Sequence, residues 1–387
     1  MDEVRIGLIG TGFMGKAHSN AWMMINKFFK PGAKAVMRAC CSRNEAGVSA
    51  FAEHWGWQSW ETDWRRLIAR DDIDAVDITV PNNVHAEVAI EAARHGKHIT
   101  CEKPLAMSLK EAGTMLAAVR KAKVKNMVWH NYRRVPAIQL ARQIVKEGRL
   151  GRIFHVRAVY LQDWIMDPDF PLVWRLQKEI CGTGSHGDLN AHIMDTARFI
   201  TGSEPVEVCA YMETFVKDRP KVGAHGALSA TRGKGRGKVT VDDAVIALAR
   251  FDNGALATFE ATRFARGRKN GWGIEVNGQN GSVSFSFERM NELLYYNEND
   301  PPHLKGFRDI LVTEPGAHKY IDAWWPPGHI IGYENTFVNH AADFVACVAN
   351  NKPCSPDFLD STRNQAFLEA MSISAKRHRW VRVPRVR

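Results

Sequence analysis

The sequence predicts an α/β protein of two domains, one formed by residues 1–130 and the other by residues 131–387. Three observations support this prediction. In the first third of the chain, short apolar runs alternate with helical patterns, as is typical of a parallel sheet wound with helices. Beyond about residue 150, strand-like runs are joined by turn sequences such as Asp252-Asn253-Gly254, which indicates antiparallel pairing. A chain of 387 residues also has room for two cores, at about 100–200 residues per domain.

The first domain is predicted to contain five strands and at least three helices. Apolar runs place the strands at residues 4–9, 36–41, 74–80, 98–101 and 127–130. Helical spacing places two helices at residues 15–25 and 85–95, and a capping box, Ser108 followed by Glu111, begins a third. Because strands and helices alternate, we expect a doubly wound parallel sheet.

The second domain is predicted to be α+β. Strand patterns occur at residues 154–161, 206–215, 244–251, 255–262, 272–277 and 282–287, and helices at residues 188–200 and 336–349. The glycine-rich basic run at residues 230–238 predicts a mobile surface loop. Helices on one side of a single large, open, antiparallel-rich sheet leave an apolar outer face, which we expect to form an oligomer interface.

Composition and charge exclude several classes of protein. The chain has 52 Lys and Arg against 42 Asp and Glu, but no helix-turn-helix, zinc-finger or RNP pattern accompanies its basic stretches, so no nucleic-acid partner is predicted. No run of 18 apolar residues occurs and the first residues do not resemble a signal peptide, so no membrane association is expected. Seven cysteines without CxxC spacing indicate free thiols in a reducing compartment, and the cytoplasm is the expected location.

A glycine motif near the start of the chain predicts dinucleotide binding. Gly10-Thr11-Gly12-Phe13-Met14-Gly15 has the form GxGxxG and lies between a predicted strand and a predicted helix. In that setting the glycines permit a tight turn, close approach of the backbone to a pyrophosphate, and close packing of the helix on the sheet. The alternative is an ordinary glycine-rich turn. The residues expected to contact the cofactor here are Gly10, Gly12, Phe13, Met14 and Gly15.

The end of the second strand, where the adenosine ribose is bound, leaves the choice of cofactor open. An acidic residue there selects NAD through the ribose 2′-hydroxyl, whereas serine or arginine can receive the 2′-phosphate of NADP. This chain has Ser42 and Arg43 at that point. Arg43 favours NADP, although an arginine can also stack on adenine or be a solvated surface residue.

Two further segments contain residues suited to catalysis. Lys103 follows a sheet strand at the edge where a doubly wound fold binds ligands, although a lysine there can simply be solvated. A glycine-rich loop at residues 182–187 leads into a helix in which Asp188 and His192 are four residues apart and share one face. A carboxylate one turn from an imidazole can fix its tautomer and raise its basicity. The alternatives are a surface ion pair, or a metal site whose spacing matches no common ligand set.

Together these segments resemble the Gfo/Idh/MocA family of sugar and polyol oxidoreductases. The similar stretches are GLIGTGFMGKAH at residues 7–18, CEKPLA at residues 101–106 and GTGSHGDLNAHIMDTARFITG at residues 182–202. The resemblance implies an N-terminal Rossmann domain, a C-terminal α+β domain, and dimers or tetramers formed through the large sheet of that domain. It also implies functional roles for Lys103, Asp188 and His192.

Shorter stretches resemble the group of this family that contains levoglucosan and inositol dehydrogenases. They lie at residues 131–134, 161–164, 174–178, 241–243 and 260–263. The resemblance implies that a secondary hydroxyl of a cyclic sugar or polyol is oxidised, the substrate being levoglucosan, a hexose or glycoside, or an inositol. It also implies NAD as the cofactor. The chain departs from the group at Ser42-Arg43 and at Ser185-His186.

On this basis we expect His192 to act as general base, Asp188 to orient and charge it, and Lys103 to stabilise the developing alkoxide. Lys103 is also expected to contact the cofactor. Sugar binding requires flat apolar faces beside hydrogen-bonding groups. The remaining residues expected to contact the cofactor are Pro81, Asn82, His85, Glu102, Trp174 and Arg175. The remaining residues expected to contact the sugar are Tyr132, Gln162, Asp163, Trp164, Arg175 and Tyr333. No metal is expected.

Two other functions stay open at this point. An NADP-linked reductase of a keto sugar or an aromatic dihydrodiol would explain Arg43, and its cofactor preference would distinguish it. A non-catalytic, dinucleotide-sensing Rossmann protein would bind the cofactor without turnover. Such a sensor would not need Lys103, Asp188 and His192 together.

Overall fold

The computed structural model describes residues 2–225 and 230–387, and packing divides the chain into two compact units. The first unit comprises the chain up to Asn131, Tyr333–Gln365 and the terminal Arg387, and the second comprises Tyr132–Gly332 and Ala366–Val386. The sequence-based boundary between residues 130 and 131 put everything beyond it in the second domain. In the structure, Tyr333–Gln365 instead packs with the first unit.

The first unit contains a six-stranded parallel sheet with helices between its strands. The strands are β1 (Glu3–Ile9), β2 (Lys34–Cys41), β3 (Trp60–Glu61), β4 (Ala75–Ile78), β5 (His98–Cys101) and β6 (Asn126–Val128). The helices that follow them are α1 (Phe13–Phe28), α2 (Glu45–Trp55), α3 (Trp64–Ala69), α4 (Asn82–Arg94) and α5 (Leu109–Ala122). The strand order is β3-β2-β1-β4-β5-β6 and all neighbours are parallel. This order is that of a Rossmann fold, which confirms the predicted class.

The second unit is α+β, with one nine-stranded sheet and a separate two-stranded ribbon. Its helices are α6 (Pro136–Lys146), α7 (Lys178–Cys181) and α8 (Ala191–Thr201). The strands of the large sheet are β7 (Ile153–Leu161), β8 (Pro205–Glu213), β11 (Ala244–Phe251), β12 (Leu256–Thr262), β13 (Gly271–Gly278), β14 (Gly281–Ser286), β15 (Glu292–Asn297), β16 (Arg308–Leu311) and β17 (Val381–Arg382). The ribbon strands are β9 (Asp218–His225) and β10 (Ala230–Lys238).

The strand order of the large sheet is β16-β15-β14-β13-β7-β12-β11-β8-β17. Neighbouring strands are antiparallel, except that β7 and β12 are parallel at the centre of the sheet. Side chains alternate strictly along β11, where Val245 and Ala247 are buried while Ile246 and Leu248 are exposed. The large open sheet with an apolar outer face is therefore the one that the sequence predicted.

Residues 230–238 form strand β10, so the prediction of a mobile loop there was wrong. β10 pairs antiparallel with β9. Its arginines form ion pairs: Arg232 with Asp167 and Asp169, and Arg236 with Asp169 and Asp218. These ion pairs neutralise the arginine charges, so the basic run can pair as a strand. The run has no alternation of apolar and polar residues, and the sequence therefore did not predict a strand there.

Two long helices lie between β16 and β17 in the chain, α9 (Tyr333–Ala349) and α10 (Phe358–Arg377). α9 lies wholly within the first unit, and α10 begins in the first unit and ends in the second. In the second unit, Phe367 of α10 packs edge-on against Phe259 of β12, with ring centroids 5.5 Å apart. Within the described residues, no helix has both the length and the apolar character needed to cross a bilayer.

Candidate active site

The turn between β1 and α1 is shaped by two glycines, Gly10 and Gly15, whose places have no room for a side chain. Gly10 has φ +111°, and a Cβ on it would lie 2.8 Å from the carbonyl of Thr79. A Cβ on Gly15 would lie 2.2 Å from the carbonyl oxygen of Gly10. A Cβ on Gly12 would meet nothing within 4 Å, and no side chain caps the N-terminus of α1. The turn therefore leaves backbone open beside a helix N-terminus, which fits the pyrophosphate of a dinucleotide.

The end of β2 lies beside this turn, because the N–H of Gly10 donates to the carbonyl of Cys41 at 3.0 Å. Ser42 follows and donates its own N–H to the carbonyl of Glu61 at 3.2 Å. Arg43 is exposed. Ser42 and Arg43, the two residues expected to contact the adenosine ribose, thus follow directly after β2, and the guanidinium of Arg43 is accessible to solvent.

The connection after β4 contains Pro81 and Asn82, which begin α4. His85, one turn further on, is wholly buried. Its ring nitrogens lie 2.9 Å and 3.1 Å from the main-chain oxygens of Val80 and Pro104, and burial lowers the pKa of the ring. The ring of His85 therefore ties the connection after β4 to the one after β5. The contact between His85 and the cofactor that the sequence suggested stays a prediction.

Glu102 and Lys103 follow the carboxyl end of β5. The carboxylate of Glu102 is buried and faces inward: its Oε2 accepts the N–H of Lys103 at 3.1 Å, and its Oε1 lies 3.0 Å from Nε2 of His18. Lys103 itself is half-buried. Glu102 thus supports the main chain of Lys103 from inside the unit, and the cofactor contact expected for it stays a prediction.

In the second unit, Asp242 organises the glycine-rich loop that precedes α8. Its carboxylate accepts three hydrogen bonds of 2.7 Å, from the N–H of Gly184, the N–H of His186 and the hydroxyl of Ser185. A Cβ on Gly184 would lie 1.8 Å from the carbonyl oxygen of Asp242, so only glycine allows this approach. Sequence reasoning gave Asp242 no role, because its partners lie almost 60 residues earlier in the chain.

A π-helical turn, His186–Asn190, joins this loop to α8 and contains Asp188. Such turns are frequent at functional sites. Asp188 is the partner of Arg263, whose Nη2 donates to its Oδ2 at 2.7 Å, and the Arg263 side chain is only 1% exposed. This ion pair was not anticipated from the sequence, which considered only the spacing between Asp188 and His192.

His192 lies one turn further, on α8, and is buried beside aromatic rings. Its ring centroid is 4.5 Å from that of Tyr132 and 6.0 Å from that of Tyr160. Tyr132 also stacks on Trp272 at 4.8 Å. The imidazole of His192 therefore packs against a cluster of aromatic side chains.

A chain of hydrogen bonds, which we call the polar rim, continues from Tyr132. Its hydroxyl lies 2.9 Å from that of Tyr160, and the Tyr160 hydroxyl donates to Oδ1 of Asn270 at 2.7 Å. Gln162 donates to the same oxygen at 3.3 Å and accepts the indole N–H of Trp164 at 3.0 Å. Tyr160 and Asn270 were missed from the sequence, although Tyr160, near the end of β7, precedes Gln162 by only two residues.

The polar rim contacts the ion pair of Asp188 and Arg263 through Trp164. The guanidinium carbon of Arg263 lies 5.5 Å from the ring centroid of Trp164. The structure therefore brings Tyr132, Gln162, Trp164, Asp188 and His192 into one connected set within the second unit. These are five of the residues that the sequence singled out for substrate binding and catalysis.

Other predicted residues have different surroundings. Asp163 accepts hydrogen bonds from Lys269 and from the N–H of Gly267, so its carboxylate serves a surface turn. Arg175 lies over the ring of Trp174, 4.3 Å from its centroid. Tyr333 belongs to the first unit, where it begins α9.

A metal site at the start of α8 is not supported by the surroundings of the neighbouring His and Asp side chains. His186 is buried, with Nε2 2.8 Å from the carbonyl of Leu368, and burial lowers the pKa of its ring. The carboxylate of Asp195 is bound by the guanidinium of Arg133 at 2.5 and 2.7 Å. Across the described residues, no group of three or more His, Cys, Asp or Glu side chains could hold a metal ion.

Comparison with known proteins agrees with both units. The model of an oxidoreductase family with an NAD-binding Rossmann fold matches residues 4–130, and that of the GFO/IDH/MocA C-terminal domain matches residues 138–284. The chain belongs to the Gfo/Idh/MocA oxidoreductase family. The resemblance inferred from the sequence motifs is thereby confirmed.

Several members of this family are similar over their whole length. The chain is 42% identical over 391 residues to levoglucosan dehydrogenase of Pseudarthrobacter phenanthrenivorans, with all of both chains covered. It matches the structure of an oxidoreductase domain protein from Kribbella flavida with a TM-score of 0.95 and 47% identity, and that of a levoglucosan dehydrogenase in complex with NADH and levoglucosan with a TM-score of 0.94 and 40% identity. Both matches cover 100% of each chain.

Proposed function

We propose that this protein is an NAD-dependent dehydrogenase that oxidises a secondary hydroxyl of a cyclic sugar or polyol. The observation that supports this most strongly is the connected set of Asp188, His192 and the polar rim, in a chain 42% identical over its full length to a levoglucosan dehydrogenase. Bound NAD⁺ would supply the acceptor of the hydride. The side chains of this protein would bind the sugar and move its hydroxyl proton.

His192 takes the proton of the reacting hydroxyl, at a ring nitrogen, in this proposal. Its burial against Tyr132 restricts the imidazole to few orientations, which suits a general base. Asp188, held by Arg263, supplies a fixed negative charge one turn earlier. Lys103 stabilises the alkoxide that develops, and the inward-facing carboxylate of Glu102 fixes the main chain at Lys103.

The substrate we propose is a pyranose-sized ring with several hydroxyls, such as levoglucosan, a hexose or glycoside, or an inositol. The indole of Trp164 offers a flat apolar face, and Gln162 and Asn270 beside it offer amide groups for hydroxyls. Arg175 is proposed as a further hydroxyl contact. A ring without hydroxyls would form no hydrogen bonds with these amides and is therefore expected to bind poorly.

We propose NAD rather than NADP as the working cofactor. The family model that matches residues 4–130 describes an NAD-binding Rossmann fold, and the turn at Gly12 leaves room for a pyrophosphate. The exposed guanidinium of Arg43 favours the competing NADP-linked reductase. Relative activity with the two cofactors distinguishes these functions.

We further propose that the protein is a dimer or tetramer formed through the outer face of the large sheet. Apolar side chains are exposed there on neighbouring strands, among them Ile246 (61% exposed), Tyr211 and Leu256. An apolar area of this kind on a sheet face is typical of a subunit interface.

The cytoplasm is the location that we propose for this protein. All seven of its cysteines are free, which is typical of a protein in a reducing compartment.

The first test measures the formation of NADH or NADPH by absorbance, in parallel reactions with NAD⁺ and with NADP⁺. The substrates are levoglucosan, glucose and its isomers, myo- and scyllo-inositol, and simple glycosides. We expect reduction of NAD⁺ with at least one cyclic polyol. Preference for NADP⁺ would favour the reductase, and tight NADH binding without turnover of any substrate would favour a sensor.

The second test removes the proposed catalytic groups. Lys103→Ala and His192→Ala are each expected to lower kcat about 10²-fold or more. Lys110→Ala, on the exposed face of α5, and His95→Ala, at the exposed end of α4, are matched controls that should retain activity. Near-normal turnover in both catalytic variants would contradict the assigned roles.

A further inference from the structure

A buried histidine on α1 lies between two carboxylates of the first unit. Nδ1 of His18 is 3.0 Å and 3.1 Å from the two carboxylate oxygens of Asp77, and Nε2 is 3.0 Å from Oε1 of Glu102. His18 and Asp77 are completely buried, and Glu102 is 5% exposed. Asp77 belongs to β4 and Glu102 follows β5, so the ring joins three neighbouring elements of the sheet.

The geometry fixes the protonation state of His18. Asp77 accepts the indole N–H groups of Trp22 at 2.7 Å and Trp129 at 2.9 Å, and indole nitrogens can only donate, so Asp77 is the acceptor. A neutral imidazole has a single N–H, and its other nitrogen would direct a lone pair at a carboxylate oxygen. With both carboxylates ionised, both nitrogens of His18 therefore carry protons.

The charges around the ring agree with this state. Burial alone would lower the pKa of His18, but Asp77 and Glu102 outweigh burial and raise that pKa to about 9. The ring centroid of His18 is also 3.9 Å from that of Trp129, a distance suited to a cation over an indole face.

Three other groups pack close to this cluster. The ring centroid of Phe337 on α9 is 5.6 Å from that of His18, and His340 stacks on Trp129 with ring centroids 4.3 Å apart. The pKa of the Cys101 thiol at the end of β5 is raised well above its usual value by burial and by Glu102 and Asp77. Among the described residues that face it, Asp77 and Glu102 are thus the charges that decide the state of His18.

Glu102 connects this cluster to Lys103. While Oε1 of Glu102 faces the imidazolium, Oε2 accepts the N–H of Lys103 at 3.1 Å. Without a cation beside it, a carboxylate this deeply buried would take up a proton or turn toward solvent. Either change would release the N–H of Lys103.

We infer that His18, as a permanent imidazolium, is a positioning residue: it holds Glu102 against the main chain of Lys103 and so determines where the Lys103 ammonium acts. This inference rests on the role proposed for Lys103. It assigns a function to the histidine at the end of the GLIGTGFMGKAH stretch, which cofactor binding by the glycines does not explain.

The protonation state can be measured without any substrate. Protein labelled at the histidine rings is titrated by NMR from pH 6 to pH 10, and the His18 signal is identified by its absence from His18→Gln. We expect both ring nitrogens to carry protons at pH 7 and through pH 8. A neutral His18 ring at pH 7 would overturn the inference, whatever the enzymatic activity of the protein proves to be.

The positioning role is tested by three variants with His95→Gln as the matched control. His18→Gln retains a similar size and an amide NH2 donor but loses the charge. NADH affinity, measured by fluorescence, and kcat are each expected to fall roughly tenfold or more. The pH profile of its kcat should also differ from that of the wild-type protein, because Glu102 has lost the cation beside it. Glu102→Gln should lose activity similarly without the new pH dependence.

The double variant His18→Gln with Glu102→Gln replaces the charged pair by two amides that can bond to each other. Recovery of wild-type NADH binding and kcat in this variant would show that only packing matters, and would overturn the inference. Unchanged kcat and NADH affinity in His18→Gln would do the same. If His18→Gln does not fold, Glu102→Gln serves as the variant, and wild-type NADH affinity and kcat in it would also overturn the inference. NADH affinity is measured without any sugar. It therefore tests this inference even if no substrate of the protein has been found.

Discussion

Arg263 is a buried cation whose Nη2 binds Asp188, while its Nε and Nη1 have no hydrogen-bond partner among the described residues. Replacing it by methionine would leave Asp188 without its counter-charge. We expect kcat/KM to fall about 10- to 10²-fold. We also expect the acidic limb of the pH profile of kcat/KM to move to higher pH, because an uncompensated carboxylate near His192 favours the imidazolium.

Arg263→Lys keeps the charge and is the matched control for this prediction. Its acidic limb should stay close to that of the wild-type protein, even if turnover falls. A loss of activity in Arg263→Met with no movement of the pH profile would show that the guanidinium only fills space.

Residues whose roles depend on local spacing were predictable, and residues whose partners are distant were not. The glycine motif was found because Gly10, Gly12 and Gly15 lie within six residues, and Asp188 and His192 were found because they are one helical turn apart. Arg263 meets Asp188 across 75 residues, and Asp242 meets Ser185 across 57. Only the strand order of the large sheet creates these contacts, so no pattern along the chain indicates them.

At the scale of elements, the start of α8 depends on one carboxylate. Asp242→Ala would remove the acceptor of three buried donors, and each buried donor without a partner costs about 1–3 kcal/mol. We expect a loss of several kcal/mol of unfolding free energy and a lower kcat, because the π-helical turn that holds Asp188 is no longer anchored. Chemical denaturation and steady-state kinetics measure the two effects.

Asp252→Ala, in the turn after β11, is the comparison for Asp242→Ala, because Asp252 is exposed and has no role in the site. It should cost far less stability and leave kcat unchanged. Equal losses in the two variants would show that the loop before α8 does not depend on Asp242.

Elements with one buried face were predicted more readily than elements buried all round or paired through charges. The alternation of β11 gives a period of two, and its predicted and observed bounds are the same. α10 is buried on almost every side along residues 361–371, with polar as well as apolar side chains inside, so its polar residues do not mark an outer face and it shows no helical period. β10 alternates glycine with basic residues, and ion pairs rather than apolar contacts hold it.

At the scale of the whole molecule, the charge on His18 makes stability depend on pH. Its pKa is raised to about 9 in the folded protein, above the value near 6.5 of an unfolded histidine. The stabilisation is therefore fully present below about pH 6.5 and is lost as the pH rises through about 9. Its size is on the order of 3 kcal/mol.

Denaturant unfolding at pH 7 and pH 10 checks this prediction. We expect the free energy of unfolding of the wild-type protein and of His95→Gln to fall between these values by more than that of His18→Gln. The same decrease in all three proteins would mean that other groups, such as lysines and cysteines, cause the loss.

The proposed assembly predicts the effect of charge on the outer face of the large sheet. Ile246→Glu combined with Leu248→Glu places two carboxylates on exposed apolar positions of β11. We expect light scattering to give a dimer or tetramer for the wild-type protein and for Lys110→Glu, and a smaller species for the double variant. A wild-type monomer would exclude the proposed interface.

The return of α9 to the first unit also limits how this protein can change over evolutionary time. Phe337 and Phe344 of α9 pack on Trp129 and Trp22, with ring centroids 5.8 Å and 6.3 Å apart, although some 200 residues of the second unit separate them in the chain. A recombination event that exchanged the first 131 residues as one block would bring in new partners for α9 and leave the helix behind. An exchange that preserves these ring contacts must therefore carry α9 together with the first 131 residues.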